Sequence, residues 1–277
     1  MSAEVPAGAI VGLVGDDAAA QEAVLGLASG AVRAESGTVV AEGARVFDHV
    51  FARAGIAESA RLRREIEGAR RGGAAVLLAS QDERILKSLC DEVWWLDEGR
   101  LALQAAPAEA LAAYQRASME KLAAWGRAQE QTVQPAMRRG DGRAKLVSIE
   151  TLDAQDRPSA IWRSGERAGV RVRARFEGAV DDPVIGIMIR TRVGFDVFGT
   201  NTELESVNLG RKNAGEEATV TFRFVCALCP QEYTLTAASH DRDGTWHDWM
   251  EDAITFSVAD TRHTAGVANL RASVEVG

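Results

Sequence analysis

Val11 to Gly30 reads VGLVGDDAAAQEAVLGLASG: a short apolar run, a tight glycine, a helix-start region and an apolar helix closed by a second glycine. Gly8 to Val14 is apolar throughout and flanked by turn residues, the pattern of a buried parallel strand, and Ala18 to Ala28 follows at helical spacing. The layout is that of a phosphate-cradling turn. Such a turn reads G-x-x-x-x-G-K-S/T, so that backbone amides and a lysine hold the phosphates and a hydroxyl holds magnesium. Counted from Gly15, the second glycine position is Ala20, the lysine position is Gln21 and the hydroxyl position is Glu22. The frame is present and its charge is not. Asp16, Asp17 and Glu22 put carboxylates where a polyanion would lie, and one like-charge contact at ~4 Å costs about 4 kcal/mol at an effective dielectric of 20.

Downstream, Ser36 to Ala41 and Arg45 to Phe51 read as strands, Glu58 to Arg71 as a helix stopped by Gly72-Gly73, and Ala74 to Ala79 as another buried strand. Glu83 to Leu89 is a short helix, and Glu92 to Leu96 pairs with Arg100 to Leu103 around Asp97-Glu98-Gly99. Alternating strands and helices predict an α/β domain with a mostly parallel sheet. Pro107 opens a helix that runs to about Gln131, with Leu111, Tyr114, Met119, Leu122 and Trp125 as an intermittent apolar stripe. Gln134-Pro135 ends it, and Arg138-Arg139-Gly140-Asp141-Gly142-Arg143 has the composition of a polar hinge.

From Lys145 the period changes to two. Leu146 to Leu152, Ala168 to Phe176, Val184 to Thr191, Phe195 to Gly199, Ala218 to Val225, Tyr233 to Ser239 and Ala253 to Val258 are strand-like, with glycine turns between them. Short strands without helical pattern predict an antiparallel β-sandwich. The expected organisation is therefore residues 1–134 as an α/β domain with its C-terminal helix, 135–144 as linker, 145–262 as the sandwich and 263–277 as a tail or exchanged strand.

A chain of 277 residues can hold two such cores. The net charge of −8, spread over both halves, argues against nucleic acid as a partner. The N-terminal apolar run is too short for a membrane span and lacks a basic flank, which predicts a cytoplasmic protein. Cys90, Cys226 and Cys229 fit reduced thiols. Cys226-x-x-Cys229 is half of a zinc or redox motif, but no second pair stands at finger spacing and no helix follows it, so no metal is expected.

GAIVGLVGDDAAAQEAVLGLASGAVRAESGTV and AAVLLASQDERILKSLCDEVWWLDEGRL resemble the opening and closing segments of ABC-transporter nucleotide-binding domains, specifically the ATP-binding subunit of O-antigen and polysaccharide exporters (Wzt-type). On that resemblance Asp48 stands at the Walker B aspartate, His49 at the catalytic glutamate and Gln81 at the switch histidine, and the interval from Asp48 to Ser80 matches the family without a gap. Next to Gly43 the family carries its glutamine loop, permease-contacting helical subdomain and L-S-G-G-Q signature, all missing between Gly43 and Arg45. The resemblance thus implies a truncated P-loop ABC-ATPase-like domain that is not an enzyme and holds no cofactor, ATP being the one candidate.

Leu146 to Asp260, most specifically GFDVFGTNT, resembles the C-terminal carbohydrate-binding domain of the same exporters, an immunoglobulin-like sandwich that is dimeric through its terminal strands. This implies a non-catalytic polysaccharide-recognition protein of export or assembly. Its partners would be a glycan, a second copy through the C-terminal domain and, at the inner face of the cytoplasmic membrane, an exporter permease or a complete ATPase subunit. A regulatory pseudo-ATPase subunit and a structural dimerisation module are the other roles left open. Sugar recognition needs flat aromatic faces beside planar polar groups. Phe198, Asn201 and Thr202, and Trp246, His247 and Trp249 near an expected hairpin tip, are the candidates. Core packing is the competing reading for Phe198 and one tryptophan, and turn formation for Asn201 and Thr202.

Overall fold

The computed structural model describes residues 4–36, 43–262 and 264–275; the strand expected over Ser36 to Ala41 lies, after Ser36, outside them. Contacts divide the chain into two compact units, Met1–Ser118 and Met119–Gly277.

The first unit contains β1 (Ile10–Val14), α1 (Ala18–Ser29), β2 (Arg45–Asp48), α2 (Ile56–Arg71), β3 (Val76–Ala79), α3 (Glu83–Leu89), β4 (Glu92–Asp97), β5 (Arg100–Ala105) and the start of α4 (Pro107–Ala128). The sheet runs β2-β3-β1-β4-β5, parallel except for the β4–β5 hairpin. All five residues of β1 are buried because this strand is central: Ile10 and Val14 pack with Ile66, Val76 and Leu86, while Val11 and Leu13 face Leu25, Leu77 and Trp94. Each such aliphatic side chain contributes roughly 1.5–3 kcal/mol on burial. Register places Gly15, Asp48-His49 and Ser80-Gln81 together at the carboxyl ends of β1, β2 and β3.

The second unit contains the end of α4, then β6 (Met137–Arg139), β7 (Ala144–Leu152), β8 (Ile161–Arg163), β9 (Arg167–Phe176), β10 (Val184–Thr191), β11 (Asp196–Asn201), β12 (Glu217–Val225), β13 (Gln231–His240) and β14 (Trp246–Ala259). One sheet runs β11-β10-β13-β14-β6 with β8 beside β14, and the other runs β12-β9-β7. Their inner faces share one core built on Trp162, Phe176, Tyr233 and Phe256, with Trp162 4.2 Å from Phe256 between ring centroids. This is a β-sandwich.

Three expectations differ. The residues read as a linker belong to the sandwich: Met137–Arg139 pairs with β14, and Asp141 and Gly142 donate their backbone N–H to the Trp246 and His247 carbonyls at 3.0 Å. Gly140 lies so close to the His247 carbonyl carbon that a β-carbon there would overlap it, which explains the glycine. The compact units divide inside α4, at Ser118–Met119, not after residue 134. The last strand begins at Trp246 rather than Ala253, its 14 residues interrupted by two register shifts against β13. The tail, within its described residues, lies along its own chain: Ala268 bridges Leu228, Cys229 N–H donates to the Val267 carbonyl at 3.0 Å, and buried Asn269 hydrogen-bonds Ser164 and Asp260.

Candidate functional site

At the carboxyl edge of the first sheet, two glutamines converge on one atom. Gln21 Nε2 and Gln81 Nε2 donate to the Gly15 carbonyl at 2.8 and 2.7 Å. Gly15 adopts φ +153, and a β-carbon there would overlap the Leu96 carbonyl. Gln21 is only 1% exposed, so the lysine position is filled by a buried neutral amide. Asp17 caps α1 by accepting from Ala20 N–H at 3.0 Å and accepts from Gly99 N–H at 2.8 Å. Asp16 accepts from the Tyr114 hydroxyl at 2.7 Å; burial, then this carboxylate, pushes the phenol up to about 12. His49, at φ +46, places Nδ1 2.7 Å from the Asp48 carboxylate, and Glu22 is exposed. Among the described residues no three His, Cys, Asp or Glu side chains are grouped to hold a metal.

The second constellation lies on the outer face of the larger sheet. In a strand, alternate residues share a face. Ile187 and Ile189 of β10 point into the core, so Gly186 and Met188 point out, and their cross-strand partners Asn201 and Gly199 point out with them. On β13 and β14 the same face carries Thr236, Ala238, His240, Trp246 and Trp249. These side chains enclose a cavity of about 300 Å³. Trp246 and Trp249 meet edge to face at 4.5 Å, His240 meets Trp246 at 4.8 Å, and the Arg139 guanidinium lies 5.3 Å from the Trp249 ring centroid. Glycines at 186 and 199 keep the floor open; a β-carbon at Gly199 would stand 2.7 Å from the Met188 methyl.

Hydrogen-bonding capacity is left over here. The Trp249 indole nitrogen is buried and has no hydrogen-bond partner among the described residues. Asn201 Oδ1 accepts from Leu204 N–H at 2.7 Å, and no hydrogen bond engages its amide nitrogen among the described residues. His240 Nδ1 lies 2.7 Å from the Asp241 carbonyl; a carbonyl only accepts, so Nδ1 bears the proton and Nε2 is the acceptor of the neutral ring.

The structure therefore brings together Asn201, Trp246 and Trp249 and separates the other candidates from them. Phe198 is on the inner side, 5.6 Å from Phe224 of the facing sheet. Thr202 is buried and accepts from Ile185 N–H at 3.1 Å. His247 points into the sandwich, its ring fully buried between Ser239 Oγ at 3.1 Å and Asp241 at 3.1 Å; burial holds it below the usual histidine range, with Asp241 opposing. Sequence reasoning missed Arg139, because β6 was read as linker, and Met188 as a wall residue. Strict alternation would have found Met188.

Cys226 and Cys229 are buried under the tail, and burial pushes the Cys226 thiol up to about 11.

Residues 135–270 match the family model of the Wzt C-terminal domain. No curated protein matches the chain. Among solved structures, the crystal structure of the C-terminal domain of wzt is 24% identical and covers 53% of this chain and 93% of that one, with a TM-score of 0.50. A Niemann-Pick type C2 protein from Japanese carpenter ant is 9% identical over 46% of this chain and 97% of its own, with a TM-score of 0.33. The cbiO1 protein from Clostridium perfringens, part of the ABC transporter complex cbiONQ, is 21% identical over 29% and 32%, with a TM-score of 0.23. At these scores the wzt domain alone bears on the fold, and it agrees with the two-sheet architecture of the second unit. Among the described residues no helix is long and apolar enough to cross a membrane.

Proposed function

We propose that the protein binds carbohydrate on the outer face of the larger sheet, as a non-catalytic recognition subunit of polysaccharide export or assembly. One observation carries the reading: two tryptophans meeting edge to face, beside an open cavity of about 300 Å³, with an indole N–H, an amide and an imidazole nitrogen that no hydrogen bond engages among the described residues. Tryptophan faces stack on sugar C–H groups, and planar polar groups satisfy hydroxyls. The match to the Wzt C-terminal domain supports this substrate class, and with it a cytoplasmic setting beside an exporter permease or ATPase, and self-association.

The first unit is, in this reading, a structural remnant of an ATPase subunit. Groups that would meet a polyphosphate are already engaged: Gln21 and Gln81 with Gly15, and the Ala20 amide of α1 with the Asp17 side chain. The missing cation leaves nothing to offset phosphate charge.

Isothermal titration of the full chain tests both halves. Saturable heat with the producing organism's own surface polysaccharide, and none with Mg-ATP, is the expected outcome. No heat from the polysaccharide with folded protein overturns the carbohydrate reading, and micromolar ATP binding overturns the remnant reading.

A further inference from the structure

We propose that the second unit holds a second carbohydrate site, a cavity of about 320 Å³ walled by the end of α4, the β7–β8 turn, β8 and the start of β9. The inference rests on the carbohydrate reading of the first site and adds where a longer chain continues.

The cavity is pre-formed. The Gly126 carbonyl of α4 accepts from Ala160 N–H at 3.0 Å, and Gln131 and Thr151 exchange hydrogen bonds at 2.8 and 3.0 Å. Only glycine fits at 126, since a β-carbon there would stand 2.9 Å from Ile161 Cβ. Most charges of the wall are paired off: Asp153 with Arg127 at 3.7 Å and Arg157 at 3.0 Å, and Arg163 with Glu166 at 2.9 Å. Glu120 and Arg167, one of each sign, also line it, and neither side chain has a hydrogen bond or ion pair among the described residues. Trp162, another lining residue, turns its ring into the core beside Phe256, so the donors left over in the wall are those of Arg167. Arginine and carboxylate groups in equal number, with donors and an acceptor to spare, suit a neutral polyhydroxyl ligand; an anion would meet as many carboxylates as guanidiniums.

Register relates this cavity to the first. Ile254, Phe256 and Val258 of β14 enter the core, so Ser257 and Ala259 face outward, and their partners Ile161 and Arg163 on β8 face outward with them. Trp249 lies on the same face of the same strand. From Trp249 to Ser257 along β14 is about 25 Å at ~3.3 Å per residue. A glycan lying along β14 reaches both cavities, and its second attachment is then intramolecular, a gain on the order of 10²-fold.

Size-fractionated oligosaccharides from the producing organism's surface polysaccharide, titrated into the full chain, are the probe. Three proteins are compared: wild type, Trp249→Ala, and Glu120→Ala/Arg167→Ala, whose exposed substitutions leave the fold intact by circular dichroism. Long fragments should bind wild type on the order of 10²-fold tighter than single repeats, and the double variant should lose that length dependence while keeping single-repeat binding at the Trp249 site. Amide shifts over residues 153–167 should accompany binding in wild type. Wild-type length dependence unchanged in the double variant, or absent from wild type, overturns the second site while leaving the first standing. No binding of any fragment to wild type overturns both.

Discussion

Asp248 offers the sharpest structural test, because one carboxylate ties three strands. It is 4% exposed and accepts from Arg138 Nε at 3.0 Å, Arg138 Nη2 at 2.8 Å and Leu146 N–H at 2.7 Å. Its partners belong to β6, at the edge of its own sheet, and to β7 in the facing sheet. Asp248→Ala leaves the Leu146 amide without an acceptor, at about 1–3 kcal/mol. Arg138 is 44% exposed and can return to water, so the lost ion pair adds only about 1 kcal/mol. The sum is about 2–4 kcal/mol, or roughly 1–2 M in urea midpoint for a domain with m near 2 kcal/mol/M. Asp248→Asn keeps an acceptor and should cost about half. Urea unfolding monitored by tryptophan fluorescence reads the sandwich transition. Binding should weaken as well, since β6 carries Arg139 to Trp249. A loss under about 0.5 kcal/mol, or equal losses for Ala and Asn, would refute the view that residues 137–143 are an integral strap.

Three further outcomes follow from the same geometry. Gln21→Lys places a cation at a site 1% exposed, so it should destabilise the first unit by about 2 kcal/mol or more without conferring ATP hydrolysis; thermal denaturation and phosphate release measure the two effects. The buried His247 ring titrates below the unfolded value near 6.5, so the unfolded chain takes up the proton first. Its contribution is fully present above about pH 6.5 and declines as pH falls below it, and His247→Gln should flatten urea midpoints measured across that range. Native protein should leave its thiols unmodified by Ellman's reagent at pH 8, because burial holds Cys90 near 12 and Cys226 near 11 and Cys229 is 2% exposed; labelling should appear only on unfolding.

The periodic elements were legible. The sequence placed Glu83–Leu89 and Val184–Thr191 at their observed bounds, since a capped helix and an alternating strand declare themselves locally. β14 hid its first half because a bulge turns both His247 and Asp248 inward and breaks the alternation of WHDWMED. β6 hid because arginines, glycines and an aspartate resemble a linker until their ion pairs with Asp248 and Asp241 are seen. Phe198 and Asn201, three residues apart on one strand, must face opposite ways, a constraint present in the sequence and unused. The meeting of Gln21 and Gln81 on Gly15 joins residues 60 positions apart and needs the fold.

The central claim is that sugar is held at the Trp246–Trp249 corner. A carbohydrate microarray probed with the full chain and with Trp249→Ala tests it directly. Wild type should retain a defined class of saccharides, and the variant, which loses a stacking face and an indole donor, should retain them at least about 30-fold more weakly, the scale of a binding hot spot. Equal retention by both proteins, or none by folded wild type, would contradict it.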